Sequence, residues 1–345
     1  MTLDPNDLTH GTAPAGGPGG AFVQAGPSTR DDLGPELTDP SPQEAARPTR
    51  GPTAIALSRL RRDKGAIAGI IVVTFIILVA VFAKQITQLT GHAPNAVYPD
   101  VLNQDNGLPV GGFSGANGNF PLGVEPGIGR DLLSRIIYGA RVSLVISLGS
   151  TVLTIFLGAV MGAIAGFFPG KIDLVVSRIM DLLLAFPGLL FTIALISVVP
   201  DSFPRELLIV LVLGGFGWPY IGRLIRTLVL SLREREFVEA ARVSGAGEWR
   251  IMFREILPNL SGPLLTYASL VIPGYVVAEA GLSYLGVGVK PPTASWGDML
   301  ANATPYYSVD ATYLAVPGLA LFFTVFAFNL LGDGVSEAFN PKSRR

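Results

Sequence analysis

The chain has 345 residues, 49% hydrophobic and only 15% charged, with a mean hydropathy of +0.49 and a formal net charge of −1. That balance excludes an ordinary soluble domain and points to a polytopic, all-α membrane protein. With no cysteine there is no disulfide or thiolate chemistry; His10 and His92 lie too far apart in polar sequence for a metal site; and basic residues scattered without an aromatic platform exclude a nucleic-acid interface.

Residues 1–52 are rich in Gly, Pro, Asp, Ser and Thr and carry no apolar period, so a disordered cytoplasmic tail is expected. It has no basic n-region followed by an apolar core, and so does not read as a secretory signal. In residues 53–83, Arg59, Arg61, Arg62 and Lys64 precede the apolar run Gly65 to Ala83, long enough for a hydrocarbon core of ~30 Å. The basic cluster places its start on the cytoplasmic side. Residues 84–140 read as an extracytoplasmic loop ending in Gly127-Ile128-Gly129-Arg130-Asp131. That string lacks the flanking strand and helix of a phosphate cradle.

Residues 141–336 hold five further expected spans, and residues 337–345 a cytoplasmic tail with Lys342, Arg344 and Arg345. In the second span, Val142 to Phe168, Gly158, Gly162 and Gly166 repeat every four residues and make a groove for a neighbouring helix. Gly170-Lys171-Ile172 lacks the spacing and the Ser/Thr of a Walker A motif. The third span, Asp173 to Val199, places Arg178 and Asp181 as i, i+3 neighbours, expected to form a structural ion pair. Ala185-Phe186-Pro187 predicts a kink. The fourth span, Leu207 to Ser231, carries Gly214, Gly215, Gly217, Pro219 and Gly222 and is expected to bend. The fifth, Leu260 to Ala280, and the sixth, Leu314 to Leu331, complete six. Arg223, Arg226, Arg233, Arg235, Arg242, Arg250 and Arg254 gather on one side, against Lys84, Arg205 and Lys290 on the other, which puts both termini in the cytoplasm.

The long polar stretch 233–259 interrupts this apolar half of the chain. Its charges cannot lie in hydrocarbon, where each costs ~2.5–3.5 kcal/mol at the centre. Phe237, Ala240, Ala241 and Ser244 recur at i, i+3, i+4, i+7, and so do Trp249, Met252, Phe253 and Ile256. Ser244-Gly245-Ala246-Gly247 breaks the two pieces and Pro258 is expected to close the second, giving a helical hairpin with an apolar stripe. Such a hairpin either rests on the lipid interface or grips a partner.

Glu239-Ala240-Ala241, Gly245 and Leu257-Pro258 resemble the EAA loop of ABC importer permeases. The Gly127–Asp131 string, the Asp–Arg–Asp…Ala-Phe-Pro pattern at Asp173–Pro187, Glu279–Gly286, Trp296-Gly297-Asp298-Met299 and Asn329-Leu330-Leu331-Gly332-Asp333-Gly334 resemble the C-type permease subunits of dipeptide, oligopeptide and nickel importers, in the family's order. The resemblance implies a type I (MetI-like) permease fold with a cytoplasmic coupling helix. Glu239, Ala240, Ala241, Gly245, Leu257 and Pro258 would couple it to the ATPase. It implies a plasma-membrane assembly with a second, B-type permease, two cytoplasmic ATPases and an extracytoplasmic solute-binding protein. No cofactor is expected in this chain, because ATP and magnesium would be held by the ATPases.

No Ser–His pair, paired carboxylates or metal cluster suggests catalysis. The alternative to an ATP-driven permease is an ion-coupled secondary transporter working without an ATPase, which would favour charges near the midplane and an internal repeat. Asp181 is the one clear candidate for such a charge.

Overall fold

The computed structural model describes residues 52–339; the expected N-terminal tail through residue 51 and residues 340–345 lie outside the described residues. The described chain is helical, with only isolated β-bridges such as Val97 to Arg130 and Val124 to Asp131 in the long loop. The helices are α1 (Pro52–Leu60), α2 (Lys64–Val81), α3 (Ala83–Thr90), α4 (Leu132–Phe167), α5 (Lys171–Ala185), α6 (Gly188–Val198) and α7 (Arg205–Arg233). They continue as α8 (Glu236–Val243), α9 (Glu248–Ile251), α10 (Leu257–Asn259), α11 (Ser261–Tyr284), α12 (Trp296–Ala303) and α13 (Ala311–Phe339). Among the described residues, α2, α4, α7, α11 and α13 are each long and apolar enough to cross a membrane, and α5 with α6 makes a sixth span only as a bent pair.

That bent pair sharpens the expected kink into a turn of 87°. Pro187 has no N–H and disfavours the helical region for the residue before it, so Phe186 is extended at φ −80°, ψ 141°. A second difference lies at the start of α4, which begins at Leu132 rather than Val142, inside the expected loop. Asp131 caps it, accepting from the backbone N–H of Ser134 at 2.9 Å and from that of Leu133 at 3.3 Å. The charge on this first turn is neutralised inside: Arg135 Nε stands 2.6 Å from Glu125 Oε1, and both side chains are fully buried. Arg130 holds the other Glu125 oxygen at 2.5 Å. The glycine-rich string before α4 therefore spends its charges on its own fold.

α4 and α7 pack along each other as the central pair. The four-residue glycine period decides this contact. A Cβ on Gly158 would stand 2.7 Å from Ile221 Cγ2, one on Gly166 2.7 Å from the Arg226 carbonyl oxygen, and one on Gly162 would collide with the Gly222 carbonyl oxygen. α7 stays helical through Pro219 from Arg205 to Arg233. Its glycines admit neighbours: a Cβ on Gly214 would meet Leu153 and one on Gly222 would meet Met180. α13 packs against α2 and α11, and α11 against α4. Glu279, fully buried in α11, accepts hydrogen bonds from Ser143 Oγ at 2.6 Å and Ser283 Oγ at 2.8 Å, which satisfies a carboxyl that hydrocarbon would not.

Candidate functional site

The polar stretch 233–259 folds as a hairpin between α7 and α11, and it has two unlike faces. The inner face belongs to the chain's own core. Val238, Ile251, Met252, Ile256 and Leu260 are buried against Ala163, Phe167, Ile221, Ile225 and Val229 of α4 and α7. Burying each large side chain contributes roughly 1.5–3 kcal/mol, so the hairpin is anchored to the bundle and not merely tethered by its ends. The outer face carries Phe237 (37% exposed), Val243 (86%), Trp249 (58%) and Phe253 (54%). Trp249 and Phe253 lie nearly parallel with ring centroids 6.1 Å apart, and Phe168 braces Trp249 at 5.2 Å.

The expected stripes are thus divided. Met252 and Ile256 point into the bundle, while Trp249 and Phe253 remain outside. Phe237, Ala240 and Ser244 are exposed, and Ala241 is half-buried against the core. Two of the side chains that anchor the hairpin, Val238 and Ile251, fall outside the helical period read from the sequence. The signal was the five-residue step from Ile251 to Ile256, one turn of the π-helix that spans Met252–Ile256.

That π turn also corrects the reading of Pro258, which does not close the second piece. In an α-helix its ring would strike the carbonyl of Arg254. Here the Leu257 N–H reaches back to the Met252 carbonyl, Asn259 Nδ2 donates to the Glu255 carbonyl at 2.6 Å, and the chain runs on through α10 into α11. Leu257 is half-buried and Pro258 exposed.

The turn between α8 and α9 is closed by backbone alone. Gly245 N–H donates to the Arg242 carbonyl at 2.9 Å and Ala246 N–H to the Ala241 carbonyl at 3.0 Å. This double bond pattern puts Gly245 at φ +79°, a left-handed conformation that costs an L side chain roughly 1–2 kcal/mol. Space is not the constraint, because nothing lies within 4 Å of a Cβ built there. Glu239 projects from α8 as an exposed carboxylate. The structure thus brings Glu239, Ala240, Ala241 and Gly245 together on one small helix and its cap, with Leu257 and Pro258 on the other arm.

The expected Arg178–Asp181 pair is present but loose, at 3.8 Å with side chains 76% and 50% exposed. The tighter partner of Asp181 is on another helix: Arg223 of α7 donates to it at 2.5 Å. Asp173 takes a two-pronged grip from Arg226, at 2.6 and 2.7 Å. Sequence spacing sees only the pair within α5; the pairs to α7 needed the fold. Among the described residues no cluster of His, Cys, Asp or Glu is placed to hold a metal ion.

Comparison with known proteins bears on most of the chain. Residues 158–345 match the family model of the binding-protein-dependent transport system inner membrane component, and residues 51–106 match that of the N-terminal TM domain of oligopeptide transport permease C. The chain is 35% identical over 280 residues, 81% of its length and 89% of the relative's, to a di/tripeptide transport system permease protein of Pseudomonas aeruginosa. It is 32% identical over 310 residues, 90% and 96% respectively, to a dipeptide transport system permease protein of Alkalihalophilus pseudofirmus. It is 34% identical over 290 residues, 84% and 90%, to an oligopeptide transport system permease protein of Bacillus subtilis. With more than half its length inside the family model, and that match carrying the hairpin and the helices that hold it, the chain belongs to the family of inner membrane components of binding-protein-dependent transport systems.

Proposed function

We propose that this chain is the C-type permease subunit of an ABC importer of dipeptides or oligopeptides. It forms the translocation pathway with a second, B-type permease. Two ATPases in the cytoplasm bind and hydrolyse ATP, and an extracytoplasmic solute-binding protein delivers the peptide. The peptide class is supported by the relatives, which are permeases for di- and tripeptides, dipeptides and oligopeptides. Both termini lie in the cytoplasm, with the hairpin on the same side, in accord with the side on which the arginines gather.

The observation that carries this reading is the hairpin's two faces. A helix anchored to α4 and α7 by Val238, Ile251 and Ile256, yet presenting Phe237, Trp249 and Phe253 outward, is built to pass a push from a partner into the bundle. ATP biases the transporter only through contacts that differ between its two states, and the hairpin is where such contacts are made. Glu239, Ala240, Ala241 and Gly245 form the joint, with Leu257 and Pro258 on the arm that leads into α11.

The test is uptake by the complete transporter in liposomes. Gly245→Val forces a β-branched residue into the left-handed turn, and Glu239→Lys reverses the charge on the exposed face. Both variants are expected to insert and assemble at wild-type levels and to lose ATP-driven uptake. Normal uptake in both, or a Glu239→Cys thiol labelled only from outside the cell, overturns the reading.

A further inference from the structure

The charges on α5 and α7 hold a second site, one that the hairpin does not use. Arg178, Asp181, Leu182 and Ala185 follow one another at i, i+3, i+4, i+7 and so share a face of α5. That face runs straight into the 87° break between α5 and α6, where Ala185, Phe186, Pro187 and Gly188 are all exposed. The first N–H groups of a helix have no partner within it, and Pro187 caps α6 without a side-chain bond. Non-helical backbone in a membrane is tolerated only where it is buried in protein or lines water. Exposed charge obeys the same rule: Arg178 is 76%, Arg223 55% and Asp181 50% exposed. Two features on one face, exposed charge and non-helical backbone, therefore favour water or protein over hydrocarbon beside it.

The charge there does not cancel. Asp173 and Arg226 neutralise each other in a closed two-pronged pair. Asp181 is left to serve two arginines: it is held by Arg223 at 2.5 Å and reached by Arg178 only at 3.8 Å. Two guanidinium groups against one carboxylate leave one positive charge in excess. Arg178 and Asp181 open onto a recess of about 700 Å³ whose wall also carries Lys171, Ser177 and the Asp173–Arg226 pair, while Arg223 reaches the site through Asp181. Arg178 therefore has a planar fork of donors free to take a second carboxylate.

We propose that Arg178, Asp181 and Arg223 form a carboxylate-binding site on the water-filled face of the pathway, at its cytoplasmic mouth. The carboxylate of a departing solute exchanges with Asp181 for the two arginines. Asp181 keeps that hold weak enough to release, as passage through a pathway requires. The inference rests on the permease reading and orientation given above, and it adds the place and chemistry of a solute contact.

The cysteine-free chain permits a direct test in the complete transporter. Leu182→Cys, 60% exposed beside Asp181, leaves the three charged residues intact. In liposomes of neutral phosphatidylcholine, its reaction with a sulfonate-bearing methanethiosulfonate is compared with that of a trimethylammonium-bearing one. The sulfonate is expected to gain by about fivefold, the effect of one unit charge at ~4 Å in water, relative to the same chain carrying Arg178→Gln or Arg223→Gln. Dialanine is expected to slow the sulfonate reagent, and dialanine amide is not. A thiol inert to both reagents places the face against lipid or protein and overturns the site. Equal rates, or protection by the amide as well, overturn its carboxylate chemistry. Loss of the preference on adding phosphatidylglycerol assigns the arginines to a lipid headgroup, and also overturns it. These rates are read without ATP, so they fail separately from the permease reading, which fails when the unmodified transporter shows no ATP-driven peptide uptake.

Discussion

Two clusters of arginine and carboxylate stand at opposite ends of this molecule, and they are put to opposite uses. At the loop end, Arg135 is fully buried between Glu125 at 2.6 Å and Asp298 at 3.4 Å, with Arg130 on the far side of Glu125. Burial pushes the Asp298 carboxyl above its usual range even though Arg135 pulls it down. At the hairpin end, Arg178, Asp181 and Arg223 are all at least half exposed and unevenly paired. The same side-chain chemistry is a fixed internal strut in one place and an open contact in the other. Burial decides which: a charge taken out of water must be fully matched, whereas a wetted one is free to change partners.

The contrast predicts unequal costs. Arg135→Met leaves the buried Glu125 carboxylate to Arg130 alone and takes the arginine from Asp298, and is expected to destabilise by about 3–5 kcal/mol, seen as a large fall in the melting temperature in detergent or failure to accumulate. A small fall would dissolve the distinction between the two clusters. Gly162→Leu comes next. Its side chain collides with the Gly222 carbonyl and prises α4 from α7, the two helices that carry Arg135 and Arg223. Overpacking of that kind costs about 1–3 kcal/mol, so melting should drop less than for Arg135→Met. Arg223→Gln, the open-end counterpart, is expected to leave melting within the ±0.5 kcal/mol of ordinary surface changes while abolishing the sulfonate preference at Leu182→Cys. A melting loss as large as that of Arg135→Met would make Arg223 a strut as well.

The smallest effect should come from Asp201→Asn. Lys290, at 2.7 Å, and Arg205 hold the exposed Asp201 carboxyl below its usual range. A carboxyl lowered in the folded state stabilises above its ordinary pKa and loses that contribution as pH falls through the lowered value. Any gap in melting between wild type and Asp201→Asn should therefore be slight at neutral pH and close on acidification. A gap that widens with acid would contradict the pairing.

The membrane class, the apolar runs, the glycine groove on α4 and the left-handed turn at Gly245 were legible in the sequence. Each depends on a local property: mean hydropathy, a four-residue period, or a backbone angle that glycine adopts without strain. The polar strings of the hairpin were legible too, as a segment that hydrocarbon would reject. What the sequence left open was partnership. Nothing local tells that Asp181 reaches Arg223 on α7, that Asp173 belongs to Arg226, or that Glu125 waits inside for Arg135. Those pairs are separated in the chain and exist only once helices pack. The ten residues by which α4 extends ahead of Val142 were hidden for the same reason, since charges that look solvated in sequence are matched in the fold. The kink at Pro187 was local chemistry and legible, but its size of 87° and the π turn before Pro258 came only with the structure. Composition determined that this chain lives in a membrane. Only the tertiary structure decided which of its charges are locked away and which face water, because a charge's role depends on what stands within a few ångströms of it.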